Sequence, residues 1–323
     1  MRLIKTEDAV GHVLCHDMTQ IIKDQYKDAR FRKGHVVTEE DIPVLLSMGK
    51  EHLYVWEMTP GMVHENDAAE RLLALCGQEN MIRSGVKEGK IELKAACDGV
   101  FLVDSARLVA VNSQDEVMIA TRKGGTAVRE GDKLAGMRVI PLIIEEEKLQ
   151  KAEQATGDKP LLPLKPYVRK TACIVATGGE VKKGLIKDTF TPVVIDKLKT
   201  YGIETLEVVY SGDGVENVRD AVLTMREKKP DMILCTGGMS VDPDDNTPGG
   251  IKAAGANIIA YGAPVLPGAM FLLGYFDDGM PVMGLPGCVM YAGATVFDLV
   301  LPKIAADVPV TRADLAALGE GGL

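Results

Sequence analysis

The sequence predicts an α/β fold, a doubly wound and mostly parallel sheet, preceded by a smaller α+β and β-rich N-terminal region. Three observations predict it. Short apolar runs at residues 171–176 and 232–235 have the composition of strands buried on both faces, and 205–209 reads as the strand between them in sequence. Helical segments stand between them at 191–201 and 215–228, the latter carrying Val218, Ala221, Val222 and Met225 on one face. Each run then gives way to a polar, glycine-bearing loop: Thr177-Gly-Gly-Glu180, Ser211-Gly-Asp-Gly214 and Gly237-Gly238. Open α/β sheets hold ligands at such strand ends.

In chain order, residues 1–60 form a small α+β unit. Gly11-His-Val-Leu and Gly34-His-Val-Val suggest short strands, and Thr38-Glu-Glu-Asp is a helix-start signal before 42–48. Gly49 stops that helix, Leu53-Tyr-Val-Trp56 is the strand after it, and Pro60-Gly61 closes the unit. Residues 61–150 follow as a β-rich domain, with a helix at 67–76 and strands at 91–95, 100–103, 108–112, 117–121 and 139–144. No catalytic constellation stands out there, and scaffold, dimer interface or wall over a site are the roles expected of it. A linker at 151–166, rich in charge and then proline, precedes the α/β domain at 167–310. That domain ends in a long apolar helix at 291–305, and 311–323 is read as a tail.

Composition narrows the partners. With 37 basic against 46 acidic residues the net charge is −9, and no Lys/Arg run appears, which argues against nucleic acid. The first residues do not have the pattern of a signal peptide and no apolar run approaches membrane-spanning length, so a cytoplasmic location without a membrane partner is expected. The six cysteines include no C-x-x-C pair and read as reduced, mostly core residues; Cys288 is expected in a loop. His12, Cys15 and His16 could be drawn as metal ligands, but no second cluster matches them downstream.

The densest stretch is 231–247. A buried strand breaks at Gly237-Gly238 into a loop with Ser240, Asp242, Asp244, Asp245, Asn246 and Thr247, and Pro248 then suits a first helical turn. Adjacent glycines admit an anion to backbone N–H groups, yet the aspartates would repel a bare phosphate. A hard cation such as Mg2+ would reconcile the two; the plain alternative is a solvated acidic turn. The crossover rule should bring Glu180, Asp213 and residues 242–245 to one rim.

Thr177-Gly-Gly-Glu180, Gly184-x-Ile186-x-Asp188-Thr189, Asp213, the 231–240 stretch with Asp245, Pro267-Gly268 and Gly284-Leu-Pro-Gly287 occur in order. Together they resemble the molybdopterin-binding domain of the molybdopterin molybdotransferase and gephyrin family over about residues 168–306. A weaker likeness covers 31–55. The resemblance implies molybdopterin as ligand, held by Thr177, Gly178, Gly179, Asp188, Thr236, Gly237, Gly238, Ser240, Asp242, Pro267, Gly268, Leu285, Pro286 and Gly287. It implies Glu180, Asp213 and Asp245 as catalytic residues and Mg2+ ligands. A molybdoenzyme client and a homo-oligomer are further expectations. The sequence also departs from the family. Leu266-Pro-Gly-Ala-Met replaces Pro-Gly-Lys-Pro with its preceding lysine, and Leu285-Pro-Gly-Cys-Val replaces Leu-Pro-Gly-Asn-Pro. Phe190 stands where Asn is common, and Asp242-Pro243 replace a Gly-containing step. Lys182, Lys183 and Lys187 are the nearest candidates to supply the missing positive charge for molybdate. Three functions stay open: Mg2+-assisted handling of adenylylated molybdopterin, non-catalytic carriage or storage of the cofactor, and nucleotide hydrolysis on the same fold.

Overall fold

The computed structural model describes residues 2–22, 26–56, 60–240, 242 and 245–323. Its contacts divide the chain into two units: Met1–Cys97 with Phe101–Gly124 and Val128–Leu164, and Asp98–Val100 with Gly125–Ala127 and Lys165–Leu323. No described helix is long and apolar enough to cross a membrane.

The first unit joins residues 2–56 and the β-rich segment in one set of contacts. An antiparallel sheet of Arg2–Lys5, His52–Trp56 and Val13–Leu14 packs over a small core containing Leu14, Leu45, Leu53 and Val55. A four-stranded antiparallel sheet runs in the order Val117–Thr121, Lys133–Val139, Ile91–Ala95, Met81–Arg83. Helices Glu65–Cys76 and Glu146–Thr156 contribute Leu72, Leu73 and Leu149 to its core, and Arg71 joins them through Glu153 at 2.7 and 2.9 Å. The segment expected as a strand at 108–112 is instead part of helix Ser105–Asn112. Asp104 caps it by accepting from the Arg107 N–H at 3.1 Å. The run Leu-Val-Ala-Val fits either period; the cap decides, burying Val111 while Val109 stays 65% exposed.

The second unit is the α/β domain. Its elements are β1 (Thr171–Thr177), α1 (Gly179–Lys182), α2 (Phe190–Lys199), β2 (Glu204–Ser211), α3 (Val215–Glu227) and β3 (Met232–Thr236). They continue with α4 (Thr247–Ala253), β4 (Asn257–Tyr261), β5 (Leu272–Tyr275), β6 (Pro281–Leu285), α5 (Val296–Ala305) and α6 (Arg312–Ala317). The sheet order is β2-β1-β3-β6-β5-β4. Strands β2, β1, β3 and β6 pair in parallel, and β5 is antiparallel to both β6 and β4. The mostly parallel, doubly wound expectation is met.

Alternation within each strand divides two cores. Ala172, Ile174, Met232, Leu234 and Met283 face Val194 and Leu198 of α2 and Val300 and Leu301 of α5. Cys173, Val175, Ile233, Cys235 and Val282 face Val218, Val222 and Met225 of α3 and Ile251 of α4. Gly250 lets α4 approach α3 closely, since a Cβ there would stand 2.5 Å from Val218 Cβ. The last helix is shorter than its apolar run: Thr295 and Asp298 form a capping box that starts α5 at Val296, and Gly287–Met290 is a separate 3-10 turn. Residues 311–323 hold a capped helix, α6, with Leu315 in the core.

Asp231 ties the opening of the sheet. Its Oδ2 accepts from the Lys170 N–H at 2.7 Å, the Thr171 N–H at 2.9 Å and Thr171 Oγ1 at 2.9 Å. Burial pushes this carboxyl up, but hydrogen bonds from Lys170 and Thr171 outweigh burial and hold it below its ordinary value. A depressed folded value stabilises at neutral pH and is lost as pH falls through it. Asp231→Ala should therefore cost about 2 kcal/mol at pH 7 by thermal denaturation, with a gap to wild type that narrows well below pH 4.

Candidate functional site

The four parallel strands end level. Thr177 pairs with Ser211, Ala176 with Thr236, and Thr236 with Leu285. From β1 the chain goes first to the neighbour on one side, β2, and later to the neighbour on the other, β3. The crevice above β1 and β3 is thus the switch point at which such sheets bind ligands.

At that point the two strand ends are fastened by threonines. Thr177 Oγ1 donates to the Thr236 carbonyl at 2.9 Å and lies 3.2 Å from Thr247 Oγ1. Thr247, fully buried at the start of α4, donates its hydroxyl to the Gly237 carbonyl at 2.8 Å, and its N–H reaches the Gly238 carbonyl at 3.2 Å. Gly237 and Gly238 turn at φ +81° and +55°. A Cβ on Gly237 would lie 2.4 Å from the Thr177 carbonyl oxygen, and one on Gly238 would lie 2.8 Å from Thr247 Oγ1. Glycine is required by both conformation and space.

The neighbouring loops are drawn in by single contacts. Gly178, at φ +137°, sends its N–H to the Ser211 carbonyl at 3.2 Å. The Gly179 N–H donates to Asp213 Oδ2 at 3.0 Å, so Asp213 latches the first loop to the second. A Cβ on Gly212 would have Lys182 Nζ at 3.9 Å, which places that lysine beside the second loop, while Lys183 and Lys187 are exposed. Tyr261 at the end of β4 donates to the Met239 carbonyl at 3.1 Å and the Ser240 carbonyl at 3.2 Å. Burial and the charge of Asp245 push the Tyr261 phenol up. Ser240 and Asp242 are exposed; the Asp242 N–H donates to Asp245 Oδ2 at 3.2 Å. Val241, Pro243 and Asp244 lie outside the described residues.

Other predicted positions have local structural occupations. Asp188 Oδ1 accepts from the N–H groups of Phe190 at 2.9 Å and Thr191 at 3.0 Å, which starts α2, and Oδ2 accepts from Tyr210 at 3.3 Å. Burial works to raise its carboxyl, but hydrogen bonds from Thr191, Phe190 and Tyr210 hold it low. Gly268 packs on α5, where a Cβ would stand 3.0 Å from Val296 Cγ1; Pro267 before it is exposed. Leu285 and Pro286 are buried at the end of β6, and Gly287 is exposed with open space around it. Glu180 is exposed on the one-turn helix α1.

Among the described residues, no group of three or more His, Cys, Asp or Glu side chains is placed to hold a metal ion. Glu180, Asp213 and Asp245 follow the ends of β1, β2 and β3 and form no such group among the described residues; Asp213 accepts from the Gly179 N–H and Asp245 from the Asp242 N–H. Residue-by-residue reading missed Thr247 as the central fastener, and also Tyr261 and Tyr210. A threonine just before Pro248 was the available signal for the first; the tyrosines come from distant strands and leave no local mark.

Residues 173–306 match the model of the family described as "Probable molybdopterin binding domain", in accord with the resemblance carried by the motifs. Residues 3–57 match a family described as a domain of unknown function. A CinA-like protein of Mycobacterium tuberculosis is 32% identical over 80 residues, which is 25% of this chain and 19% of that relative. The chain thus matches about a fifth of the length of the curated relatives. Among solved structures, CinA of Thermoplasma acidophilum aligns at TM-score 0.36 and 18% identity, covering 42% of this chain and 98% of that one. The molybdopterin biosynthesis Mog protein of Mycobacterium ulcerans aligns at TM-score 0.35 and 20% identity, covering 44% and 97%.

The threonine fastening is testable without a ligand. Thr247→Val should cost about 1–2 kcal/mol in chemical denaturation because it removes a buried hydroxyl that satisfies the Gly237 carbonyl, whereas Thr247→Ser should recover most of the loss.

Proposed function

We propose that the second unit binds a phosphorylated pterin of the molybdopterin type at the rim above β1 and β3, and that it serves molybdenum cofactor biosynthesis. The observation that carries this reading is the glycine turn at Gly237-Gly238, fastened to Thr177 at the switch point, within the segment that matches the molybdopterin-binding model. The Gly237-Gly238 turn would line the phosphate, beside the loop that Gly178 and Gly179 tie to Ser211 and Asp213. Asp245, half-buried beside Tyr261, would accept hydrogen bonds from the pterin, and Ser240, Asp242 and Gly287 would flank it. On this reading the role is binding and presentation of the pterin, with Asp213 held on the Gly179 N–H and Asp245 on the Asp242 N–H. The missing lysines support the same side, since Leu266 and Ala269 offer a molybdate dianion no charge.

A second reading, catalysis on adenylylated molybdopterin, draws on acidic residues kept at three consecutive strand ends. Incubating the purified chain with adenylylated molybdopterin, Mg2+ and molybdate separates the two. Tight pterin binding without AMP release is the expected result, and AMP release at enzymatic rates would establish the second reading. In equilibrium binding, Asp245→Ala should weaken molybdopterin by about tenfold or more while shifting Tm by no more than about 2 °C. Unchanged affinity with a large loss of stability would make Asp245 a structural residue.

A further inference from the structure

The first unit holds a second site that neither the motifs nor the family match on 173–306 account for. Two cavities, of about 530 and 650 Å³, share Arg32, Lys33, Glu65 and Glu88 as lining. Glu65 is the centre of interest. It is the first residue of helix Glu65–Cys76 and only 4% exposed, yet it lines both cavities. Its ion-pair partner, Arg138 Nη2, stands at 3.9 Å, beyond hydrogen-bond reach. The carboxylate is admitted by two glycines with positive φ. A Cβ on Gly34 would lie 2.8 Å from Oε1, and one on Gly89 would lie 2.6 Å from Oε2.

The surroundings are fixed in place. The Lys33 N–H donates to Asp17 Oδ1 at 2.7 Å, the Gly34 N–H to the Leu14 carbonyl at 2.9 Å, and His64 Nε2 bonds the Gly34 carbonyl at 2.9 Å. His64 Nδ1 accepts from the Asn66 N–H, so the ring is a neutral Nε2–H tautomer. A nearly buried carboxylate with two glycine-cleared oxygens calls for paired N–H donors. Burial pushes the Glu65 carboxyl up against the opposing charge of Arg138, as expected of a group kept in a costly position. The exposed cations Arg32 and Lys33 on the same lining make no ion pair among the described residues. Trp56, Pro141 and Leu142 add apolar surface to the smaller cavity.

We propose that this cleft binds a small phosphorylated ring bearing adjacent N–H donors, the amide–amine edge that guanine and pterin rings share. Glu65 accepts from that edge, and Arg32, Lys33 and Arg138 supply charge for the phosphate. The site does not depend on the reading of the strand-end rim.

Isothermal titration of the full chain with GMP, a pterin monophosphate, AMP and inorganic phosphate tests it. At least one of GMP and the pterin monophosphate should bind, and which of them does identifies the source of the ring. AMP, whose edge lacks the donor pair, should bind about tenfold or more weakly. Glu65→Gln should weaken the ring-bearing ligand about tenfold while leaving inorganic phosphate unaffected. The exposed pair Arg32→Ala/Lys33→Ala, chosen because it leaves the core intact, should weaken that ligand and phosphate alike. Failure of both ring ligands to bind, equal affinity for AMP, or binding unchanged in both variants would overturn the proposal; a pterin phosphate seated at the rim falls in the last class.

Discussion

Everything proposed for the second unit depends on one constraint: four parallel strands must stop at the same height, and the two at the switch point must be held together there. The Thr177–Thr236 hydrogen bond and the buried Thr247 hydroxyl meet that constraint. With the strand ends fastened, the Gly237-Gly238 turn has a single course, and Asp213 and Tyr261 can dock the neighbouring loops by one or two hydrogen bonds each. The rim is thus built from the core outward. Apolar alternation sets the strands, threonines level their ends, and only then do the glycines have a shape to offer a ligand.

Carboxylates divide by what surrounds them. Asp231 and Asp188 are surrounded by backbone N–H groups and act as structural anchors, with their charged forms favoured. Asp213 performs a lighter version of that task at the edge of the loops. Glu65 is the opposite case, buried with its ion-pair partner Arg138 at a distance and its charged form disfavoured. Burial with a distant partner makes the first unit, rather than the acidic rim, the more unusual electrostatic environment.

The α/β half was legible because its signals are redundant. Each buried run, such as the one at 232–235, is followed by a glycine loop and then by a helix with an apolar face, so period, punctuation and order agree. The β-rich half was less so. Residues 108–112 fit both periods, and the deciding feature was a cap formed by Asp104 on the Arg107 N–H. Strand β4 and helix α6 were missed for a related reason: short elements owe their existence to packing, as Leu315 in the core shows for α6. At the site, the motif named candidate residues, whereas the hydrogen bonds that hold their loops were not legible. That Glu180 would be exposed on a single helical turn, with Asp213 committed to Gly179, follows from loop geometry that spacing does not encode. Glu65 carried no motif at all, since its burial arises from Gly34 and Gly89, residues distant from it in sequence.

The most direct test of the rim as a ligand site is amide chemical-shift mapping of the full chain during titration with a pterin phosphate. Shifts confined in the second unit to residues 177–180, 211–214 and 237–240 are the predicted result. A ligand that binds while those amides stay unmoved would contradict the claim that the fastened strand ends form the site.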